Sequence, residues 1–199
     1  MTDLITIEYS LRLEDVAEVR GDEPRLEFIF LTGLGGQLQV KTVDTGILAV
    51  NFPGRGAPRS IGLSNLEVHV PISPTQANRF LGFAVRAYEW DSFDASDRAS
   101  ALDRLVENVQ LRIGPTVAAS RPPTVDQIWL AVNERPSVGG DDRIGVSARL
   151  FRSLGSEVIR DGVRRTIVPE GSQANDAFLF RSGGARWRMQ FDVAHQSFG

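Results

Sequence analysis

The chain of 199 residues contains no cysteine. Disulfides, thiol nucleophiles and zinc–thiolate sites are therefore excluded. Lysine is nearly absent as well: Lys41 is the only one, and arginine supplies the other cations. The two histidines, His69 and His195, fall in no metal-ligating spacing such as H-E-x-x-H, and no G-x-S-x-G elbow occurs. With no nucleophile–base set in view, an enzyme is not expected. Positive charge is not in excess, since the net charge is −3, and that balance argues against a nucleic-acid partner. Long hydrophobic runs are missing too. Segments such as "LEFIFL" and "ILAVNF" are far too short to cross a bilayer. The start, "MTDLITIEYS", has no basic stretch followed by an apolar run, so no secretory signal is expected. The expected location is the cytoplasm, with signal-independent export left open.

What is present is an ordinary globular composition, 42% hydrophobic and 24% charged, at a length that suits one core. Residues 1–199 therefore read as a single domain. Period-two alternation dominates the first part. "LITIEYSLRL" places Ile5, Ile7, Tyr9 and Leu11 on one strand face, and "RLEFIFL" is a second strand. "LGGQ" is a turn leading into "QLQVKTV". "GILAVNF", "NLEVHVPI" and "RFLGFAVRAYEWD" follow as strands, with the Gly/Pro-rich loop "PGRGAPRS" among them.

The period then changes. In "SDRASALDRLVENVQLRIG", Leu102, Leu105, Val106 and Val109 recur at helical spacing. Asp94 or Ser96 is the expected cap, and Gly114-Pro115 the expected stop. "TVDQIWLAVNERP" is a second, shorter helix between Thr124 as N-cap and Pro136 as stop. Alternation returns in "RIGVSARLF", in an expected hairpin around Asp161-Gly162, and in "AFLFRS" and "RWRMQFDVA". The fold expected is mainly β: an antiparallel eight-stranded β-sandwich with a two-helix insertion, about residues 95–137, in one end loop.

Acidic residues gather in three connections. Glu89 and Asp91 end one strand in "EWD", Asp141 and Asp142 precede another in "GGDDRIG", and Asp15, Glu18, Asp22 and Glu23 lie near the N-terminus. Hard cations such as calcium take six to eight oxygen ligands, usually from several loops. If the helices form one insertion, its stems bring Glu89 and Asp91 close to Asp141 and Asp142. The alternative for each carboxylate is a solvated turn or a helix cap. Asp94 and Asp97 fit best in the first turn of the helix, where the dipole favours anions.

These motifs resemble the C-two domain, the calcium- and lipid-binding sandwich named after a conserved region of protein kinase C. "EDVAEVRGDEPRLEF" is similar to the family's first loop, with Glu23 before Pro24. "EWD" and "DDRIGVSARL" are similar to the two ends of its third loop, with the helices as spacer. The resemblance spans residues 4–193. Glu stands at 23 and 89 where the family has Asp, and the lysine-rich strand that some members use for inositol lipids has no counterpart. The resemblance implies a calcium site formed by Glu89, Asp91, Asp141, Asp142, Glu23 and, at the first-loop position without a direct counterpart, Glu18 or Asp15. It implies a non-enzymatic binding module acting on a protein or a membrane surface. The alternative is a structural or assembly subunit, self-associating or docking a protein partner through the helical hairpin or a sheet edge, without metal.

Other motifs carry less. Asp44-Thr45-Gly46 is the aspartic-protease triplet, but one copy requires a homodimer, Ile47 follows in place of Ala or Ser, and the triplet also suits a hairpin turn. "GLGGQ" is followed by a strand, so no helix N-terminus is there to hold a phosphate. His69 reads as a strand surface residue. Trp90, Trp129 and Trp187 read as packing residues, with Ile128, Trp129 and Val132 offering a partner surface as the alternative.

Overall fold

The computed structural model describes residues 2–15, 24–47, 60–71, 79–89, 95–133, 143–152, 165–167, 177–182 and 185–197. Among them are nine strands and two helices. The strands are β1 (Thr2–Asp15), β2 (Pro24–Leu34), β3 (Gln37–Ile47), β4 (Ser60–Pro71), β5 (Leu81–Glu89), β6 (Arg143–Phe151), β7 (Arg165–Ile167), β8 (Ala177–Ser182) and β9 (Ala185–Ser197). The helices α1 (Ala95–Ala118) and α2 (Val125–Val132) lie between β5 and β6. All the strand pairs are antiparallel. The first sheet has the order β4-β1-β9-β7 with β8 also on β9, and the second has β3-β2-β5-β6. β7 and β8 share one side of β9, at its two ends, because β1 occupies the other side along nearly its whole length.

The two sheets face each other across a common core. Ile5, Tyr9, Val68, Val70 and Phe191 of the first sheet meet Leu26, Phe28, Phe30, Phe83 and Val85 of the second. Phe83 is the hub: its ring lies 5.9 Å from Phe28, 5.6 Å from Phe30 and 5.4 Å, edge-on, from Phe191. Strand alternation puts the intervening residues of β2 and β5 on the opposite face. There Ile29, Leu31, Ala84, Ala148 and Leu150 are buried under Leu105, Val109, Ile113 and Val117 of α1 and Ile128, Ala131 and Val132 of α2. α1 rests on β3, and α2 on β5 and β6. The helices thus form a third layer, with a core of their own.

Gly82 shows how closely this layer sits. A Cβ there would stand 2.9 Å from Ile128 Cδ1 and 3.1 Å from Leu31 Cβ. Two polar ties reinforce the packing. Asn108 Nδ2 donates to the Ala131 carbonyl at 2.8 Å, joining the helices, and Gln110 Nε2 donates to the Leu38 carbonyl at 3.0 Å, joining α1 to β3.

The first helix does not stop at Gly114-Pro115 but runs through both. An interior proline costs about 3 kcal/mol. Continuing the helix buries Ile113 and Val117, which are 1% and 0% exposed, and each such side chain contributes about 1.5–3 kcal/mol. Pro115 and the preceding Leu111 lie on the exposed face, where water can reach the Leu111 carbonyl left without its helical donor. The helix ends instead in a Schellman arrangement: Arg121 N–H donates to the Thr116 carbonyl at 3.1 Å and Ser120 N–H to Val117 at 2.9 Å. Ser120 takes the left-handed conformation, φ 56°, that glycine usually fills. Ser96 lies inside α1, not at its cap, and Asp94 lies outside the described residues. α2 begins as expected, with Thr124 and Gln127 forming a reciprocal capping box.

Nine strands are described where eight were expected, and β3 passes unbroken through Asp44-Thr45-Gly46, where two separate strands were expected. The expected hairpin at Asp161-Gly162 lies outside the described residues, and Arg165–Ile167 pairs with β9. The "GLGGQ" segment is a two-residue turn, with Gly35 at φ 59° and Gly36 at φ 76° between the paired Leu34 and Gln37.

Side chains occupy sheet edges. Lys41 Nζ on β3 donates to the His69 carbonyl on β4 at 3.1 Å, linking one sheet to the other. On β6, the Val146 carbonyl accepts from Trp129 Nε1 at 3.3 Å and the Ala148 carbonyl from Arg149 at 2.9 Å. Such cover blunts an edge that could otherwise pair with another chain.

Two stability outcomes follow from the helical layer. Gly82→Ala is expected to lower stability in urea unfolding by about 1–3 kcal/mol, because Ile128 or Leu31 must shift. Ser120→Gly is expected to raise it by about 0.5–1 kcal/mol, through relief of the left-handed backbone at the helix end.

Candidate functional site

Two contacts between the sheets give their relative direction. Tyr9 on β1 rests against Phe28 on β2, with ring centroids 5.1 Å apart. Lys41, paired with Phe30, reaches His69, paired with Leu4. Passing from Leu4 to Tyr9 along β1 therefore matches passing from Phe30 to Phe28 along β2. The end of β1 at Asp15 and the start of β2 at Pro24 lie at the same end of the molecule. In the second sheet Pro24 pairs with Glu89, and Tyr88 with Arg143. The helical insertion thus leaves and re-enters the sheet at neighbouring positions.

The connections carrying the acidic residues depart from this loop end. Glu89 closes β5 opposite Pro24. Glu18, Glu23, Asp91, Asp141 and Asp142 lie outside the described residues; Glu23 is bonded to Pro24 and Asp142 to Arg143. Asp97 falls in the first turn of α1. Among the described residues, no group of three or more His, Asp or Glu could hold a metal ion.

The loop end is also where strand pairing becomes irregular. Register shifts occur between Leu13 and Asp15 against β9, between Arg25 and Glu27 against β3, and between Ala87 and Tyr88 against β6. Bulges of this kind re-aim side chains and gather near functional sites. The β3 bulge accounts for the "DTG" segment. One extra residue enters β3 between Asp44 and Ile47, and Thr45 Oγ1 compensates locally. It accepts from Leu26 N–H at 3.1 Å and donates to the Leu26 carbonyl at 3.2 Å.

Beside that bulge lies an ionic network, buried except at Asp44, that sequence pattern does not disclose. Arg25 donates through Nε to Asp44 Oδ1 at 2.6 Å and through its terminal amine to Asp44 Oδ2, a bidentate pair. Glu27 lies 3.5 Å from the Arg25 guanidinium and 3.4 Å from that of Arg86. Arg86 also donates to the Tyr88 hydroxyl, with its guanidinium carbon 4.8 Å from that ring's centroid. Arg25, Glu27 and Arg86 are 3%, 6% and 2% exposed. In "RLEFIFL", Arg25 and Glu27 alternate with apolar residues, which reads as a solvated face. The available hint is the apolar stripe of the inserted helices, which needs a sheet face to cover.

The remaining candidates are placed as follows. Asp44 is engaged by Arg25 within a strand, so the protease triplet is neither a turn nor an unengaged carboxylate. His69 is exposed, as expected. Ile128 and Val132 are fully buried in the second core, so they form no partner surface; Trp129 is 38% exposed. Trp90 lies outside the described residues. Among the described residues, no helix is long and apolar enough to cross a membrane.

No family model, no curated protein and no solved structure matches the chain.

The network sets a stability test. In a double-mutant cycle of Arg25→Gln and Asp44→Asn, urea unfolding is expected to give a coupling energy of about 2 kcal/mol. Breaking one side of a pair whose arginine is buried and whose aspartate is half-buried costs more than removing both.

Proposed function

We propose that the chain is a non-enzymatic binding module of the C-two type, its two sheets forming that family's sandwich and its loop end taking calcium. The observation that supports this is the pairing of Pro24 with Glu89 and of Tyr88 with Arg143, at the stems of the connections that hold Glu18, Glu23, Asp91, Asp141 and Asp142. The six candidate donors, Glu89 included, offer only carboxylate oxygens, which suits a hard cation. Carboxylates drawn together repel one another until a divalent ion neutralises them. Such an ion stabilises the native state and adjusts the charge presented to a partner. A net charge of −3 with one lysine favours a protein surface over an anionic membrane as that partner.

A second reading, a metal-free assembly module, draws on Leu111 and Leu130, which the helical layer leaves 77% and 57% exposed.

Thermal unfolding in excess calcium and in chelator separates the two. The calcium reading expects the wild type to gain roughly 2.7 kcal/mol at a hundredfold excess over the dissociation constant. A variant carrying Asp91→Asn, Asp141→Asn and Asp142→Asn is expected to gain nothing. A wild-type melting temperature indifferent to calcium rejects the calcium site and directs attention to the exposed helix residues.

A further inference from the structure

We propose that the outer face of the helical layer pairs with the same face of a second copy of the chain, forming a two-fold dimer centred on Leu111 and Leu130. This rests on the metal-free assembly reading and gives it a partner. It needs no cation and no residue of the loop end.

The register of the helices places the residues. α1 leaves the loop end after Glu89, and by Gln110 it reaches Leu38, beside the β2–β3 turn at the other end. α2 returns toward Arg143, so the two helices are antiparallel. The bond from Asn108 to the Ala131 carbonyl puts those two residues at one level. At about 1.5 Å per residue, Leu111 and Leu130 then differ in height by roughly 3 Å, and Arg112 and Asp126 by roughly 1.5 Å. Val109 and Ile113 point into the second core, and Leu111, two positions from each, points away. Leu130 stands in the same relation to the buried Ile128 and Val132. The two leucines, 77% and 57% exposed, therefore sit side by side on the crests of neighbouring helices, whose axes pack about 8–10 Å apart.

Charge selects the occupant. Exposed residues of both signs flank the leucines: Arg104, Glu107 and Arg112 on α1, and Asp126 on α2. Arg112 Nε donates to Asn108 Oδ1 at 2.9 Å, which keeps its guanidinium on the α2 side of the crest. A strongly charged partner of either sign would meet repulsion here, whereas a second copy supplies the opposite sign at the matching height. A two-fold axis parallel to the helices lays α1 of each copy on α2 of the other. Heights are unchanged by that rotation. Leu111 then meets Leu130 of the second copy, and Arg112 comes level with its Asp126, each contact occurring twice. Neighbouring helices all run antiparallel, as in an up-and-down four-helix bundle. α2 has eight residues, about 12 Å of helix, so the contact is small and the dimer depends on concentration.

The test is sedimentation equilibrium of the full chain in chelator, from micromolar to millimolar concentration, with the melting temperature of each variant recorded in dilute solution. The wild type is expected to pass from monomer to dimer. Leu111→Arg and Leu130→Arg are each expected to stay monomeric with the dilute melting temperature held. Asp126→Arg and Arg112→Asp are each expected to lower the association constant roughly tenfold, and the double variant to recover it, because opposite charges face each other again. A merely structural role for either residue would give no such recovery, and its absence overturns the geometry. Wild-type dimerisation in both leucine variants overturns this face and leaves metal-free assembly through another surface standing. A wild type that stays monomeric throughout overturns the dimer and self-assembly together. Should Leu130→Arg fail to fold, Leu111→Arg on the longer helix decides alone: a dimer of wild-type strength in that variant refutes the proposal.

Discussion

The second sheet has apolar cover on both faces, and most of the architecture answers to that constraint. A strand buried on one side needs apolar residues at every other position, whereas β2 and β5 need them at nearly all. "LEFIFL" and "LGFAV" meet that demand. Phe28, Phe30 and Phe83 turn toward the first sheet, while Ile29, Leu31 and Ala84 turn toward the helices. The helices therefore cannot be an appendage. Without them a broad apolar face would stand in water, and at about 25 cal/mol per Å² such exposure is not sustainable in a monomer. Gly82 belongs to the same constraint, because it lets α2 lie close enough to seal the sheet.

Toward the loop end the outer face of this sheet changes character. Apolar pairs give way to Arg25, Glu27, Arg86 and Tyr88, still buried, and to the half-buried Asp44, all held by charge and hydrogen bonds. Ion pairs in such places add little net stability over an apolar replacement, because desolvation consumes their attraction. The sheets present a polar, irregular rim at that end, and the acidic connections all start from that rim.

Much of the fold is legible in the residues. Alternation marks β6 and β8 to the residue, the paired glycines specify the turn between β2 and β3, and Thr124 with Gln127 announces α2. These signals are local, so sequence carries them fully. The failures involve tertiary terms that outweigh local ones. Gly114-Pro115 is a sound stop signal, yet the stripe from Leu105 to Val117 continues past it and packing decides. "DTG" suits a turn, yet Thr45 replaces the ladder bonds that a bulge disrupts. Arg25 and Glu27 look solvated because nothing near them in sequence reveals what lies above. The candidate metal residues are legible only as chemistry: their types and spacing are in the chain, while the pairing of Pro24 with Glu89 is a property of the sheet.

Lys41 carries a consequence beyond its hydrogen bond. Enzymes that acetylate lysine or attach ubiquitin to it, and reagents that acylate side-chain amines, have one lysine to address in this chain. That amine is the one joining β3 to β4 across the two sheets. The amine is exposed, and acylation leaves a neutral nitrogen with a single N–H and less capacity to hold the His69 carbonyl. Chemistry that on most proteins is scattered over many inconsequential surface amines is here concentrated on the seam between two sheets.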